Sequence, residues 1–220
     1  MLFLHGYLAN KESFSAQIAY FSKFYKVYAI DFLGFGNSGA LTKAFSVGDY
    51  ASWLYTVMQA LNIQQPHVIA HSFGCRVAVK LASERKDVFD KIILTGPAGV
   101  IVNRGFAYRC KVRAYRLVKK VAPKFAERKF GSKEYRSLSP IMKESYKKIV
   151  NEDLRKCAGQ VFGEVLILQG KKDNVTTEKE AKLYLQSFPK AKLDYLDGGH
   201  FAFAENPVAF NLKAEEFLYG

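Results

Sequence analysis

The chain has 220 residues, of which 49% are hydrophobic and 24% are charged. This composition is typical of one folded domain and excludes a largely disordered protein. Apolar runs are too short for a transmembrane helix, and the three cysteines, Cys75, Cys110 and Cys157, suit neither a disulfide framework nor a zinc site. The net charge of +13 comes mostly from residues 101–136, where twelve Lys or Arg accompany two Asp or Glu. This basic block indicates a charged surface feature and says little about the fold.

Short apolar segments rich in β-forming residues alternate with helical segments from the first residue onward. Strands are predicted at 1–4, 27–30, 67–70 and 91–95, and helices at 13–24, 46–61 and 73–84. The pattern is then helical only as far as residue 157, after which strands at 164–168 and 192–196 alternate with helices at 177–188 and 205–218. Strands that alternate with helices predict a parallel sheet covered on both faces.

The helical block that follows the fourth predicted strand is too long and too regular to be a loop. We therefore divide the chain into an α/β core, residues 1–96 and 158–220, and an inserted helical lid, residues 97–157. Open α/β sheets bind their ligands at the carboxyl ends of the strands. We expect the lid to cover that edge.

The segment Ala70-His71-Ser72-Phe73-Gly74 joins a predicted strand directly to a predicted helix. A serine at such a turn exposes its hydroxyl, and the sharp turn needs small residues two positions before and after it. Ala70 and Gly74 meet that need. The start of a helix also favours developing negative charge. Ser72 is therefore a candidate nucleophile, with an ordinary helix N-cap as the alternative.

A serine nucleophile needs a base, and the base needs an acid that orients it. His200 follows the last predicted strand and two glycines, which predicts that its ring reaches the carboxyl edge of the sheet. Asp173 follows the neighbouring predicted strand, one helix and one strand before His200 in the chain. We predict that Ser72, His200 and Asp173 act as nucleophile, base and orienting acid.

The three other histidines are not predicted to be the base. His71 occupies the variable position of the turn and is expected to point away from the direction that Ser72 must take. His67 begins a strand at the opposite edge, where we expect it to be exposed. His5 precedes a glycine at a strand end, which favours a structural role.

Five motifs in this order make the chain resemble the α/β-hydrolase superfamily over essentially its whole length. They are His5-Gly6, Asp31-x-x-Gly34-x-Gly36-x-Ser38, the turn at Ser72, Gly170-x-x-Asp173 and Gly199-His200-Phe201. The resemblance implies a mostly parallel sheet of about six strands that lacks the first two family strands, with a helical cap after the fourth. It also implies that the backbone N–H groups of Tyr7 and Phe73 form the oxyanion hole.

Together these features predict a serine hydrolase that cleaves a carboxylic ester with an apolar acyl or aryl group through an acyl-enzyme. The predicted pocket residues are Leu8, Phe32, Phe106, Tyr108 and Phe201. Alternatives are a C–C bond hydrolase or an acyltransferase with the same triad, and a non-catalytic ligand-binding member of the fold.

A dinucleotide site requires a glycine-rich segment that opens a helix, and the glycine-rich segment 34–39 does not do so. The histidines lack metal-ligand spacing. We expect no cofactor and no metal.

Residues 106–121 alternate apolar and basic positions as an amphipathic helix does. A lid helix with a solvated basic face is the simplest interpretation. The alternatives are an acidic protein partner or anionic substrate, as suggested by some resemblance to acyl-carrier-protein methyl ester esterases, and an anionic membrane surface. No nucleic acid partner is predicted. A homodimer through the strand at 27–30 is a further expectation, as is a cytoplasmic location, because no signal peptide is recognisable.

Overall fold

A computed structural model describes residues 1–102 and 133–220 of the chain. Within those residues, six strands form one wholly parallel sheet. The strands are β1 Leu2–Leu4, β2 Tyr28–Ile30, β3 Val68–His71, β4 Lys91–Thr95, β5 Glu164–Gly170 and β6 Ala191–Leu196. Their spatial order is β2-β1-β3-β4-β5-β6. The predicted fold class, a parallel sheet of about six strands in an α/β protein, is confirmed.

Helices connect the strands and differ widely in length. A 3-10 helix spans Lys11–Phe14, and the α-helices are α1 Ser15–Phe21, α2 Val47–Ala60, α3 Phe73–Glu84, α4 Lys133–Ser137, α5 Pro140–Val150, α6 Arg155–Ala158, α7 Glu178–Leu185, α8 Ala202–Glu205 and α9 Pro207–Tyr219. None of these helices is both long and apolar enough to cross a membrane.

Both faces of the sheet are buried, as is usual when helices cover a parallel sheet on two sides. Successive residues of β1 point to opposite faces. Phe3 belongs to an apolar layer shared with α1 and α9, whereas Leu2 and Leu4 belong to a second layer shared with α2, α3 and α7. The near-continuous apolar strands predicted from the sequence are therefore explained by burial on two sides.

Local sequence signals set several of the helix ends. The Ser46 hydroxyl accepts the N–H of Asp49, and the Asp49 carboxylate accepts the N–H of Ser46, so a reciprocal capping box opens α2 near the predicted start at residue 46. Pro207 begins α9 because it lacks an N–H and fits the first helical turn. The closing helix predicted over 205–218 is therefore α9, which begins two residues later than predicted, and a separate short helix, α8, ends at Glu205.

Three helices of the predicted lid segment, α4 to α6, lie in the described part of the chain. Ser139 caps α5, because its hydroxyl accepts the Met142 N–H. This helix contacts the core, because the Ser145 hydroxyl donates to the Phe45 carbonyl over 2.7 Å and the Tyr7 hydroxyl donates to the Met142 carbonyl over 3.3 Å. Residues 103–132, with most of the basic block, lie outside the described residues. The division into core and lid stays a prediction.

Candidate active site

Ser72 occupies a sharp turn between β3 and α3. Its φ of 50° and ψ of −104° lie outside the regions that non-glycine residues usually adopt. The turn is tight because a Cβ at Gly74 would lie 2.2 Å from the Leu4 carbonyl oxygen of β1. The Ser72 hydroxyl makes no capping hydrogen bond to α3. That absence disfavours the alternative interpretation as an ordinary N-cap, and the strained backbone is the conformation expected of a nucleophile turn.

His200 and Asp173 form a close pair at the carboxyl ends of β5 and β6. The His200 Nδ1 lies 2.8 Å from Asp173 Oδ2, and the Asp173 side chain has no exposed surface. Asp173 Oδ1 accepts the N–H groups of Val175 and Thr176 over 2.8 and 2.9 Å. Because the carboxylate holds Nδ1, Nε2 of His200 is left as the nitrogen that can act as a base.

The environment of Asp173 keeps its carboxylate charged. Burial alone would raise the pKa of Asp173, but the hydrogen bonds from His200 and Thr176 outweigh it, and the pKa lies below its usual value. A charged carboxylate can stabilise the imidazolium that forms when His200 takes a proton.

Thr176 is a site residue that the sequence analysis missed. Its hydroxyl donates to Asp173 Oδ2 over 2.8 Å and lies 3.3 Å from Nδ1 of His200. Its position three residues after Asp173 is a turn pattern in which an aspartate accepts nearby backbone N–H groups. That pattern could have indicated the backbone bonds, but not the second contact to His200.

The loop that carries His200 is held against the ends of neighbouring strands. A Cβ at Gly170 would lie 2.1 Å from the carbonyl oxygen of Gly199, so β5 and the loop touch through their backbones. The Gly199 N–H donates to the Glu205 carboxylate of α8 over 2.7 Å. These contacts fix a loop that glycines would otherwise leave free.

Tyr7 and Phe73, the predicted oxyanion-hole residues, follow β1 and Ser72 respectively. Neither backbone N–H is paired with another group in the described part of the chain, and both therefore remain available to bind an oxyanion. Their side chains touch, with ring centroids 5.6 Å apart. Behind them, His5 Nε2 accepts the Phe32 N–H over 3.0 Å and Nδ1 donates to the Gly6 carbonyl over 2.7 Å, which is the structural role expected of His5.

The motif that begins at Asp31 holds together two loops that lie next to the candidate site. Asp31 accepts the Lys11 N–H over 2.7 Å through Oδ1 and the Asn37 N–H over 2.9 Å through Oδ2. The Ser38 hydroxyl donates to the Asp31 carbonyl. Asp31 thus ties the loop after β1 to the loop after β2, and a Cβ at Gly36 would lie 2.3 Å from its carboxylate.

The predicted pocket residues lie in three different environments. Leu8 and Phe201 are exposed, at 47% and 46%, and each follows a candidate site residue. Phe32 has no exposed surface and packs beneath the loop against His5. Phe106 and Tyr108 lie outside the described residues. Lining of a pocket by these side chains stays a prediction.

The expectation that His71 points away from the direction of Ser72 stays a prediction, but its ring is found beside His200. The His71 ring lies 4.7 Å from the His200 ring, centroid to centroid, and its Nε2 is 3.0 Å from the His200 carbonyl oxygen. The cause is that the loop after β6 folds back across the end of β3.

No group of three or more histidine, cysteine or acidic side chains in residues 1–102 and 133–220 could hold a metal ion.

Comparisons with known proteins agree with this architecture. The family model for the alpha/beta hydrolase fold matches residues 1–154. The chain is 28% identical over 130 residues to "Probable lysophospholipase BODYGUARD 3" of Arabidopsis thaliana, a match that covers 56% of the chain and 25% of that protein. The chain thus spans about a quarter of that relative.

Solved structures with much lower identity share the fold. An esterase from Exiguobacterium antarcticum has a TM-score of 0.77 and 22% identity, over 100% of this chain and 91% of its own. A membrane phospholipase A has a TM-score of 0.81 and 18% identity, over 100% of this chain and 78% of its own. Because the family model covers well over half of the sequence, the chain belongs to the alpha/beta-hydrolase fold family.

Proposed function

We propose that this protein is a serine hydrolase that cleaves carboxylic esters through an acyl-enzyme. One observation carries the proposal: Ser72 adopts a strained backbone conformation at the start of α3, on the sheet edge where the His200–Asp173 pair is held. Structural residues rarely retain such strain, whereas nucleophile turns of this kind require it.

In the proposed reaction, His200 Nε2 takes the Ser72 hydroxyl proton while the oxygen attacks the ester carbonyl carbon. The oxyanion binds the N–H groups of Tyr7 and Phe73, and the dipole of α3 adds to their field. His200 then donates its proton to the leaving alcohol. Water attacks the acyl-enzyme by the same route and releases the acid and the free serine.

An apolar acyl or aryl group suits the surroundings of the site. Leu8, Val175 and Phe201 are large apolar side chains that are 46–60% exposed, and each lies within two residues of a proposed catalytic or oxyanion residue. Exposed apolar groups clustered at one edge favour an apolar ligand. The names of the relatives, a lysophospholipase and an esterase, are consistent with ester cleavage. We place the remaining pocket wall, including Phe106 and Tyr108, on a lid formed by residues 97–157.

The proposal is tested by replacing Ser72 with alanine and measuring release of p-nitrophenol from a short-to-medium acyl series. Ser83→Ala is the matched control, because Ser83 lies on the same helix with its hydroxyl bonded to the Lys80 carbonyl. We expect Ser72→Ala to lose at least about 1,000-fold in kcat and Ser83→Ala to retain wild-type activity. Circular dichroism checks that both variants fold.

Covalent labelling by a fluorophosphonate gives a second readout that does not depend on the choice of ester. We expect the label on Ser72 of the wild type and none on the Ser72→Ala variant. Equal hydrolysis by wild type and Ser72→Ala would contradict the proposal. A wild type with neither hydrolysis nor labelling would contradict it too, and would favour a binding role.

A further inference from the structure

His71 immediately precedes Ser72, and its ring packs against the loop that carries His200. The ring is 1% exposed. Its centroid lies 4.7 Å from that of His200, 4.9 Å from that of Phe201 and 4.8 Å from that of Phe203. The ring therefore fills the space between the end of β3 and the loop that carries the proposed base.

One hydrogen bond joins this ring to the backbone of His200. Nε2 of His71 lies 3.0 Å from the His200 carbonyl oxygen. A carbonyl oxygen can only accept, so Nε2 must carry the proton and donate it. The contact thus assigns the tautomer.

The other ring nitrogen shows that the ring is uncharged. Nδ1 of His71 has no hydrogen-bond partner among the described residues, and a Cβ built on Gly6 would lie only 2.8 Å from it. A protonated Nδ1 there would be a buried donor without an acceptor, which is costly. Burial, and then the neighbouring His200, lower the pKa of His71 to about 3 against smaller opposing contributions, including that of Asp173.

We propose that His71 is a positioning residue: as a neutral imidazole it fixes the backbone of His200 through the Nε2–H bond, and its ring sets the spacing between the His200 loop and the loop at Gly6. The inference rests on the proposed role of His200 as base. Asp173 fixes the rotation of the His200 ring, whereas His71 fixes the backbone from which that ring extends.

The two restraints act on different atoms, and the His71 bond adds to the Gly170 and Glu205 contacts that hold the loop at Gly199. The His200 loop contains Gly198 with a φ of 139°, a conformation that provides no stiffness of its own. β3 lies inside the sheet between β1 and β4, so a bond from its last residue anchors the loop to an interior strand. A displacement of about 1 Å in a reacting group can cost about 100-fold in rate.

The test compares His71→Leu, His71→Gln and His67→Leu in hydrolysis of p-nitrophenyl butyrate. Leucine fills much of the ring volume without a donor, whereas the glutamine amide can place an N–H near the former Nε2. His67 precedes the same strand at its other end and is the matched control. We expect His71→Leu to lower kcat by about 10- to 100-fold with KM changed less than about threefold. We expect His71→Gln to stay within about fivefold of wild type, and His67→Leu to match it.

A measurement on the unmodified protein guards against variants that fail to fold. In histidine labelled with ¹⁵N, we expect the His71 signals to report a neutral ring with the proton on Nε2, unchanged between about pH 5 and pH 8. A proton on Nδ1, or titration of this ring within that range, would overturn the inference.

The kinetic outcomes separate the inference from the proposed function. Wild-type hydrolysis with equal kcat for His71→Leu and His67→Leu would overturn the positioning role and leave the function intact. Equal losses for His71→Leu and His71→Gln, in folded proteins, would overturn the hydrogen bond as the cause. Lack of wild-type hydrolysis and of Ser72 labelling would instead overturn the proposed function, and with it the role that His71 serves.

Discussion

At opposite ends of the sheet, a histidine meets an aspartate in two very different ways. At the carboxyl ends, His200 Nδ1 and Asp173 Oδ2 are 2.8 Å apart and the Asp173 side chain has no exposed surface. At the amino ends, His67 Nδ1 and Asp90 Oδ2 are 3.4 Å apart and the Asp90 side chain is 61% exposed. The residue types are the same, and the surroundings differ.

Burial and backbone donors, rather than the residue types, distinguish the proposed catalytic pair from the pair at the amino ends. Two backbone N–H groups and the Thr176 hydroxyl orient the Asp173 carboxylate. Burial lowers the pKa of His67 by more than Asp90 raises it, so the exposed carboxylate does not hold that histidine in its charged form. His67 itself was expected to be exposed, but its side chain is only 19% exposed because the ring packs against Tyr25.

The largest expected effect comes from breaking each pair in the same way. Asp173→Asn should lower kcat by about 1,000-fold or more, because an amide no longer holds the His200 tautomer or stabilises its charged form. Asp90→Asn should leave kcat unchanged. Steady-state hydrolysis of p-nitrophenyl butyrate by the two variants measures the difference.

Wild-type activity in both variants would mean that the buried pair has no catalytic role. A loss in both would instead indicate that the substitutions act through stability. Thermal unfolding of each variant, followed by circular dichroism, separates these outcomes.

A smaller effect is expected from glycines at the two ends of β5. A Cβ at Gly170 would lie 2.1 Å from the Gly199 carbonyl oxygen, whereas a Cβ at Gly163 would lie 3.4 Å from the Asp90 carbonyl oxygen. Gly170→Ala should lower the free energy of unfolding by about 1–3 kcal/mol through overpacking and should also lower kcat, because the His200 loop must move. Gly163→Ala should change neither measurably. Urea unfolding and ester hydrolysis give the two values, and equal stability of the variants would contradict the close backbone contact.

The smallest expected effect is on how the stability of the fold falls at acidic pH. Hydrogen bonds lower the pKa of Asp173 despite its burial, so the group stabilises the fold above its unfolded pKa, and this contribution is lost as the pH falls through the folded pKa. Thr176→Val removes one of those bonds and should start the loss at a higher pH. Thr56→Val, which removes only an exposed bond to the Ser52 carbonyl, is the control. Melting temperatures between about pH 3 and pH 6 test this, and identical curves would exclude a contribution from Thr176.

Much of this architecture could be predicted because local signals and periodicity agree. The helix at 73–84 and the strand at 91–95 were predicted with the bounds that the structure shows, since an abrupt turn and a glycine mark their ends. The candidate triad followed from strand ends, because parallel strands bring their carboxyl ends to one edge.

What escaped prediction depends on tertiary contacts. β5 continues two residues beyond the predicted end because Gln169 and Gly170 pair with β6, and no local pattern encodes that pairing. Likewise, the role of His71 depends on a loop 129 residues later in the chain. A single sequence gives no sign that this loop returns to the end of β3.

Tyr7 joins the proposed oxyanion hole to helix α5, two parts of the molecule that one would otherwise vary separately. Its backbone N–H belongs to the proposed oxyanion hole, while its ring lies 5.2 Å from the Tyr146 ring of α5 and its hydroxyl bonds to the Met142 carbonyl. Substitutions on α5 that remove the Tyr146 ring would also free one side of the Tyr7 ring. The proposed oxyanion hole is therefore linked to α5 through one tyrosine, and a library built on α5 should include position 7.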